Sequence, residues 1–253
     1  MVPLKKIMRN IVILSALNSE LKLLKRIASD MKELDKSNGI KFSECRLPGV
    51  RGNIVTGSFG MGKVLAAMAC QYAIDHYSPD KVLLVGACGG FSKAIKKGDI
   101  LISNKSVQAD MNLLSTGKML GVYQGPDEIN RQRFTNHDME VVETSSSINP
   151  HLEKVLGRKP ELRIGIIASH DKIECDKTIV KQIYNEFKSS GIDMETASCA
   201  IVCNCNDIPF SSIKSVFDLD GLFDQTDYVN NIEIYHRNAL RVIVEILKLL
   251  YQV

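Results

Sequence analysis

Three carboxylates stand where strand-like runs give way to the next segment. Glu20 lies just after the apolar run Ile11 to Leu17. Glu195 follows Asp193 and Met194 at a strand-to-helix junction, and Asp218 follows the apolar strand Ile213 to Phe217. In an open α/β sheet the ends of separate strands converge on one crevice. One acid in such a place is most often a helix cap or a solvated charge. Three acids, on three segments that a parallel sheet would gather, point to a site. Carboxylates held together raise one another's pKa, which suits general acid and base work near neutral pH.

The other motifs carry less. Gly57-Ser-Phe-Gly-Met-Gly62-Lys63-Val64 nearly matches a phosphate-binding loop, but Val64 stands where Ser or Thr must ligate Mg²⁺. An ATPase is rejected. What remains is a glycine-rich turn, either a plain turn or one whose N–H groups approach a polar ligand. Gly86-Ala87-Cys88-Gly89-Gly90 follows a buried strand and lacks the G-x-G-x-x-G order of a dinucleotide site. It reads as a turn whose backbone passes close to a ligand, with Cys88 a buried thiol. The five histidines show no metalloprotease or triad spacing, and only His170, at a strand end, is placed near a site. Cys199 and Cys203 are four apart on one face of a helix, and no second ligand pair matches them, so core packing outranks zinc. Neither a metal nor a cofactor is expected.

Elements that could position the acids alternate along the chain. Ile11 to Leu17, Ile40 to Cys45, Asn53 to Phe59, Lys81 to Val85, Asp99 to Val107, Leu162 to Ser169, Gly191 to Met194 and Phe210 to Phe217 read as strands. Helices are expected after Asn18 and Ser19 (apolar Leu21, Leu23, Leu24, Ile27, Met31), over Lys63 to Tyr77, Lys177 to Lys188 and Thr196 to Cys205, and over Asn230 to Tyr251. Ala109 to Asn136 reads as a long loop. Strands alternating with helices indicate an α/β fold with a largely parallel sheet. With no repeat, low-complexity segment or linker, one domain over 1–253 is the economical reading.

Composition bounds the partners. The 253 residues carry 32 Lys and Arg against 29 Asp and Glu, a net charge of +3, with aromatics at 6% and no Trp. That gives no broad basic field and no stacking platform, so nucleic acid is not the expected partner. The early apolar run is far too short to span a membrane, and no small-residue cleavage site follows it. An odd count of seven cysteines, with no secretory signal, points to reduced thiols and a cytoplasmic protein.

Six segments together resemble the purine nucleoside phosphorylase/uridine phosphorylase superfamily, and within it the methylthioadenosine/S-adenosylhomocysteine nucleosidases. They are Ile11 to Glu20, Gly60 to Val64, Pro79 to Gly90, Lys97 to Leu101, Asp193 to Thr196 and Ser215 to Asp218. They stand in the family's order and at its spacings; Met111 to Lys159 is poorly matched. The resemblance implies a single α/β domain whose central mixed sheet curls into a distorted barrel flanked by helices. It implies cleavage of the N-glycosidic bond of a nucleoside, without cofactor, by a homodimer. By matching position, Asp218 would protonate the leaving purine near N7. Glu20 would activate the attacking water, and Glu195 would hold the ribose hydroxyls with Met194 beside the sugar. Asp193, Ala87, Cys88, Gly89 and Ile173 would complete the substrate site, Ile173 standing where the nucleosidases place an aromatic.

The chemistry is consistent with these roles. A purine anion leaves poorly without a proton, so a carboxylic acid of raised pKa is needed. Phosphorylases of the superfamily carry an Arg where this chain has Leu84, and often a hydroxyl where it has Ala87. Without cation or hydroxyl there, phosphate loses its main stabilisation, and water is the expected nucleophile. A phosphorylase drawing cations from Lys63, Arg46, Arg51 or a partner subunit, and a nucleoside binder with little catalysis, are the alternatives. A mere binder has no need of a leaving-group acid.

Overall fold

The computed structural model describes residues 10–37, 39–111, 134–156, 161–172, 176–222 and 224–252. Its ten strands are β1 (Asn10–Ser15), β2 (Ser29–Ser37), β3 (Ile40–Arg46), β4 (Asn53–Ser58), β5 (Lys81–Gly90), β6 (Ile100–Gln108), β7 (Thr135–Asn136), β8 (Leu162–Ser169), β9 (Gly191–Asp193) and β10 (Phe210–Leu219). The helices are α1 (Lys22–Ile27), α2 (Lys63–Tyr77), α3 (Met139–Leu156), α4 (Lys177–Phe187), α5 (Thr196–Cys205) and α6 (Gln225–Leu250), and a 3-10 turn covers Asn18–Leu21.

All ten strands share one mixed sheet, ordered β10-β6-β8-β9-β5-β1-β4-β3-β2, with β7 beside β6. Because β10 also pairs with β5, the five strands β5, β10, β6, β8 and β9 close on themselves. The remaining strands splay from β5 through β1. This is the expected mixed sheet curled into a distorted barrel.

Apolar strands form here because both sheet faces are covered. Along β1, Ile11 and Ile13 face one core with Leu83, Val85, Ile213 and the Ala239–Leu247 stripe of α6. Val12 and Leu14 face the other, with Ala66, Ala69 and Cys70 of α2 and Cys199 and Cys203 of α5. Strand alternation sends neighbours to opposite faces, and a doubly covered strand therefore reads as an unbroken apolar run. The cysteines expected in the core, Cys199 and Cys203, are there, and the Cys203 sulfur lies 3.4 Å from that of Cys70 between α2 and α5.

Four sequence expectations change. The helix carrying Leu24 stops at Ile27, and Met31 lies in β2, because β2 pairs antiparallel with β3. Gly86 to Gly90 is not a turn: β5 runs through it, paired with β10 as far as Gly90 opposite Leu219. Within the expected loop, 112–133 lies outside the described residues and Thr135–Asn136 forms β7. Helix α3 was not anticipated in its serine-rich stretch. Its Ser145 and Ser146 hydroxyls donate to the carbonyls of Val141 and Val142, which accommodates serine inside a helix.

Candidate active site

Where β5 and β10 run side by side, a cavity of about 380 Å³ opens. Ala87, Cys88 and Gly89 of β5 line it, as do Asp193, Met194 and Glu195 after β9, Asp218 of β10 and Glu20 of the 3-10 turn. Every described residue of the expected site is thus on one cavity; Ile173 lies outside the described residues.

Each acid is held by a local device. Glu20 is buried, and its Oε2 accepts the Leu17 N–H at 2.8 Å, closing the 3-10 turn on itself. Burial raises its carboxyl to about 7, with Lys214 acting against the rise. Glu195 stands at the N-cap of α5, and its Oε1 accepts the Gly62 N–H at 3.0 Å. The glycine-rich turn of Gly57 to Lys63 therefore presents an N–H to a carboxylate of its own chain. At Gly62, φ is +102°, a conformation that favours glycine. Burial raises the Glu195 carboxyl, again opposed by Lys214. Asp218 sits where β10 bulges against β5, between Val216 and Asp218. Burial raises its carboxyl to about 6, with Lys97 acting against the rise and Asp220 adding to it. A carboxyl so raised keeps a proton up to about pH 6, well above an ordinary aspartic acid, which suits it to protonate a leaving group.

Asp193 differs from these three. Its Oδ1 accepts from the Ser169 hydroxyl at 2.7 Å and its Oδ2 from the Thr196 hydroxyl at 2.5 Å, and Lys214 Nζ lies 3.0 Å from Oδ2. Burial pushes the carboxyl up, but Lys214, Ser169 and Thr196 outweigh it and hold it below its ordinary value. With both oxygens engaged, Asp193 braces the β9–α5 junction that presents Met194 and Glu195.

Lys214 was missed by the sequence reading. It projects from β10 with 1% exposure, 3.0 Å from Asp193 and 3.7 Å from Glu195. Burial alone would discharge it; the carboxylates of Asp193, Glu195 and Glu20 more than compensate and push its pKa up. One cation thus neutralises an acidic cluster that could not stay ionised by itself. The available signal was a lysine within the run Ser211-Ser-Ile-Lys-Ser-Val216, since a charge inside a doubly covered strand must be paired.

The remaining lining supplies shape. Phe217 and Tyr228 meet edge to face with ring centroids 5.2 Å apart, two aromatic walls that the sequence reading did not assign to the site. Met61, 52% exposed, stands at the rim. His236 of α6, rather than the expected His170, is the histidine in the lining. Cys88 is buried and its thiol pKa is pushed up by burial, so it is no nucleophile. Leu84 is wholly buried among apolar residues. Lys63, one cation the phosphorylase alternative could use, is tied to Asp110 at 2.5 Å and Asp171 at 3.2 Å.

The chain is similar to known proteins along nearly its whole length. A 5′-methylthioadenosine/S-adenosylhomocysteine nucleosidase of Tolumonas auensis is 29% identical over 241 residues, 93% of this chain and 97% of that protein. One from Anoxybacillus flavithermus is 29% identical over 213 residues, 84% of this chain and 86% of its own. Among solved structures, the Colwellia psychrerythraea nucleosidase in complex with adenine superposes with a TM-score of 0.83 at 24% identity, covering 95% of each chain. A futalosine hydrolase of Helicobacter pylori superposes with a TM-score of 0.83 at 22% identity, covering 94% of this chain and 97% of its own. Both superpositions establish the shared fold. The family model of the phosphorylase superfamily matches residues 10–248, nearly the whole chain, and the chain belongs to that superfamily.

Proposed function

We propose that this protein hydrolyses the N-glycosidic bond of a purine nucleoside of the 5′-methylthioadenosine or S-adenosylhomocysteine type, and that the whole chain forms the one catalytic domain. The observation that carries this reading is a single cavity lined by two carboxyls tuned toward neutrality, Asp218 at about 6 and Glu20 at about 7. The buried cation behind it, Lys214, is already committed to Asp193 and Glu195. No cofactor enters the scheme.

The protonated Asp218 gives its proton to N7 of the base as the C1′–N9 bond breaks, so the base leaves neutral. Positive charge builds at the sugar and is favoured by the carboxylates around it. Glu20 takes a proton from water, whose oxygen forms the new bond to C1′. Glu195, braced by Gly62 and Lys214, accepts hydrogen bonds from the vicinal ribose hydroxyls. The products are free base and free sugar.

The rim points to a homodimer. Met61, Val64 and Leu65 at the start of α2 are 52%, 82% and 38% exposed beside the cavity, an apolar edge that a second copy would cover. Cys45, Cys70, Cys88, Cys199 and Cys203 are buried thiols that form no disulfide, which accords with a reducing, cytoplasmic setting. Light scattering at micromolar concentration is expected to give a dimer mass; a monomer mass removes that part.

The reaction itself is tested by product analysis with 5′-methylthioadenosine in phosphate-free buffer, repeated with phosphate added. Adenine and free sugar are expected in both. Turnover only with phosphate, accompanied by sugar 1-phosphate, would show a phosphorylase. No base release in either would leave a binder.

A further inference from the structure

We infer that His236 is a positioning residue for the attacking water, which it shares with Glu20; this rests on the hydrolytic reading above. The motive is a polar side chain with nothing to bond. His236 is 2% exposed on α6, lines the cavity, and neither ring nitrogen has a hydrogen-bond partner among the described residues. A buried imidazole left so carries a desolvation cost that a purely structural residue would not. The Glu20 carboxylate lies close by, with Nε2 3.7 Å from Oε1. That separation is too long for a direct hydrogen bond, and a water seated beside the pair can contact both.

The ring is neutral at neutral pH. Burial holds it well below its ordinary value, at about 4; Lys214 adds to this and Glu233 opposes it. A neutral imidazole has one N–H and one bare nitrogen. A bare Nε2 would face the carboxylate lone pairs and repel them, so the proton belongs on Nε2. A water beside the pair then accepts from Nε2–H and donates to Glu20 Oε1. One lone pair of its oxygen stays free to attack C1′. Two fixed contacts thus set the direction of attack, and the proton lost by the water passes to Glu20.

The placement is built in. Helix α6 packs against the 3-10 turn that carries Glu20, so the two side chains are held by elements in direct contact. Oε2 of Glu20 accepts the Leu17 N–H and the Ala87 N–H also reaches the carboxylate; each carboxylate oxygen has two lone pairs, so Oε1 can still accept from the water.

The test compares His236→Leu, which keeps volume without a donor, with His236→Gln, whose amide N–H can replace Nε2–H. With 5′-methylthioadenosine as substrate, His236→Leu is expected to lower kcat about 10–100-fold, the scale for a misdirected reactant. KM should stay within about threefold, the pattern of an interaction that matters at the transition state. His236→Gln should recover most of the loss, and the melting temperature should not fall in either. Wild-type kcat in His236→Leu, equal loss in both variants, or a raised KM at constant kcat would each overturn the inference. The ring ¹⁵N–¹H spectrum of the full chain is a readout independent of turnover. An Nε2–H tautomer perturbed by Glu20→Gln is expected, and an Nδ1–H tautomer overturns the assignment. If the wild type released no base, the nucleosidase reading would fall, while the spectrum would still decide whether His236 and Glu20 are joined.

Discussion

A Cβ on Gly89 would lie 2.6 Å from Asp218 Oδ1 and 3.0 Å from Ile192 Cγ2. Gly89 and Asp218 are register partners across β5 and β10, so the proposed leaving-group acid folds down over a strand position with no side chain. The same device recurs at the water end: a Cβ on Gly86 would lie 2.6 Å from Glu20 Oε1. The glycines of β5 therefore make room for the two carboxyls proposed to do the chemistry. Gly89→Ala is expected to displace Asp218 and lower kcat about 10–100-fold. Steady-state kinetics beside far-UV circular dichroism would check it, and unchanged kcat in the folded variant would contradict it.

Asp218→Asn keeps the shape of the acid and removes its proton. A loss of at least about 10²-fold in kcat is expected, the low end for a general acid. Near wild-type turnover by a folded Asn variant would remove Asp218 from the mechanism.

The pH profile follows from the two carboxyls. Asp218 must be protonated and is lost as acid when pH rises through about 6. Glu20 must be ionised and is lost as base when pH falls through about 7. Because the acid has the lower value, the productive pair is most populated between about 6 and about 7. A bell-shaped kcat/KM peaking in that interval is expected, its limbs belonging to the pair rather than to either residue. A profile flat from pH 5 to 9 would be incompatible with this assignment.

Lys214→Met would leave Asp193, Glu195 and Glu20 without their shared cation. Removing one partner of a buried charge cluster costs about 3–5 kcal/mol. Urea denaturation at neutral pH should show that loss, together with a large drop in activity. An unaltered midpoint would mean that the cluster does not depend on Lys214.

The amino-acid sequence by itself determined the elements and the acids. Runs such as Ile11 to Leu14 are apolar at every position because both faces are covered, and a strand buried on both sides announces itself locally. Glu20, Glu195 and Asp218 were legible because strand ends in an α/β fold are where chemistry collects, and their motifs are contiguous. The path of Gly86 to Gly90 was not legible. Glycines there satisfy a turn as well as a strand, and only pairing with β10, more than 100 residues later in the chain, selects the strand. Lys214 and His236 were hidden for a related reason. On its strand Lys214 is one polar residue among small ones, and on a long amphipathic helix His236 resembles part of the wet face. Their roles depend on Glu20, Asp193 and Glu195, which reach them only when β5 and β10 pair and α6 packs against the 3-10 turn. The charge a buried group feels is a sum over neighbours in space, and only the closed barrel brings those neighbours together.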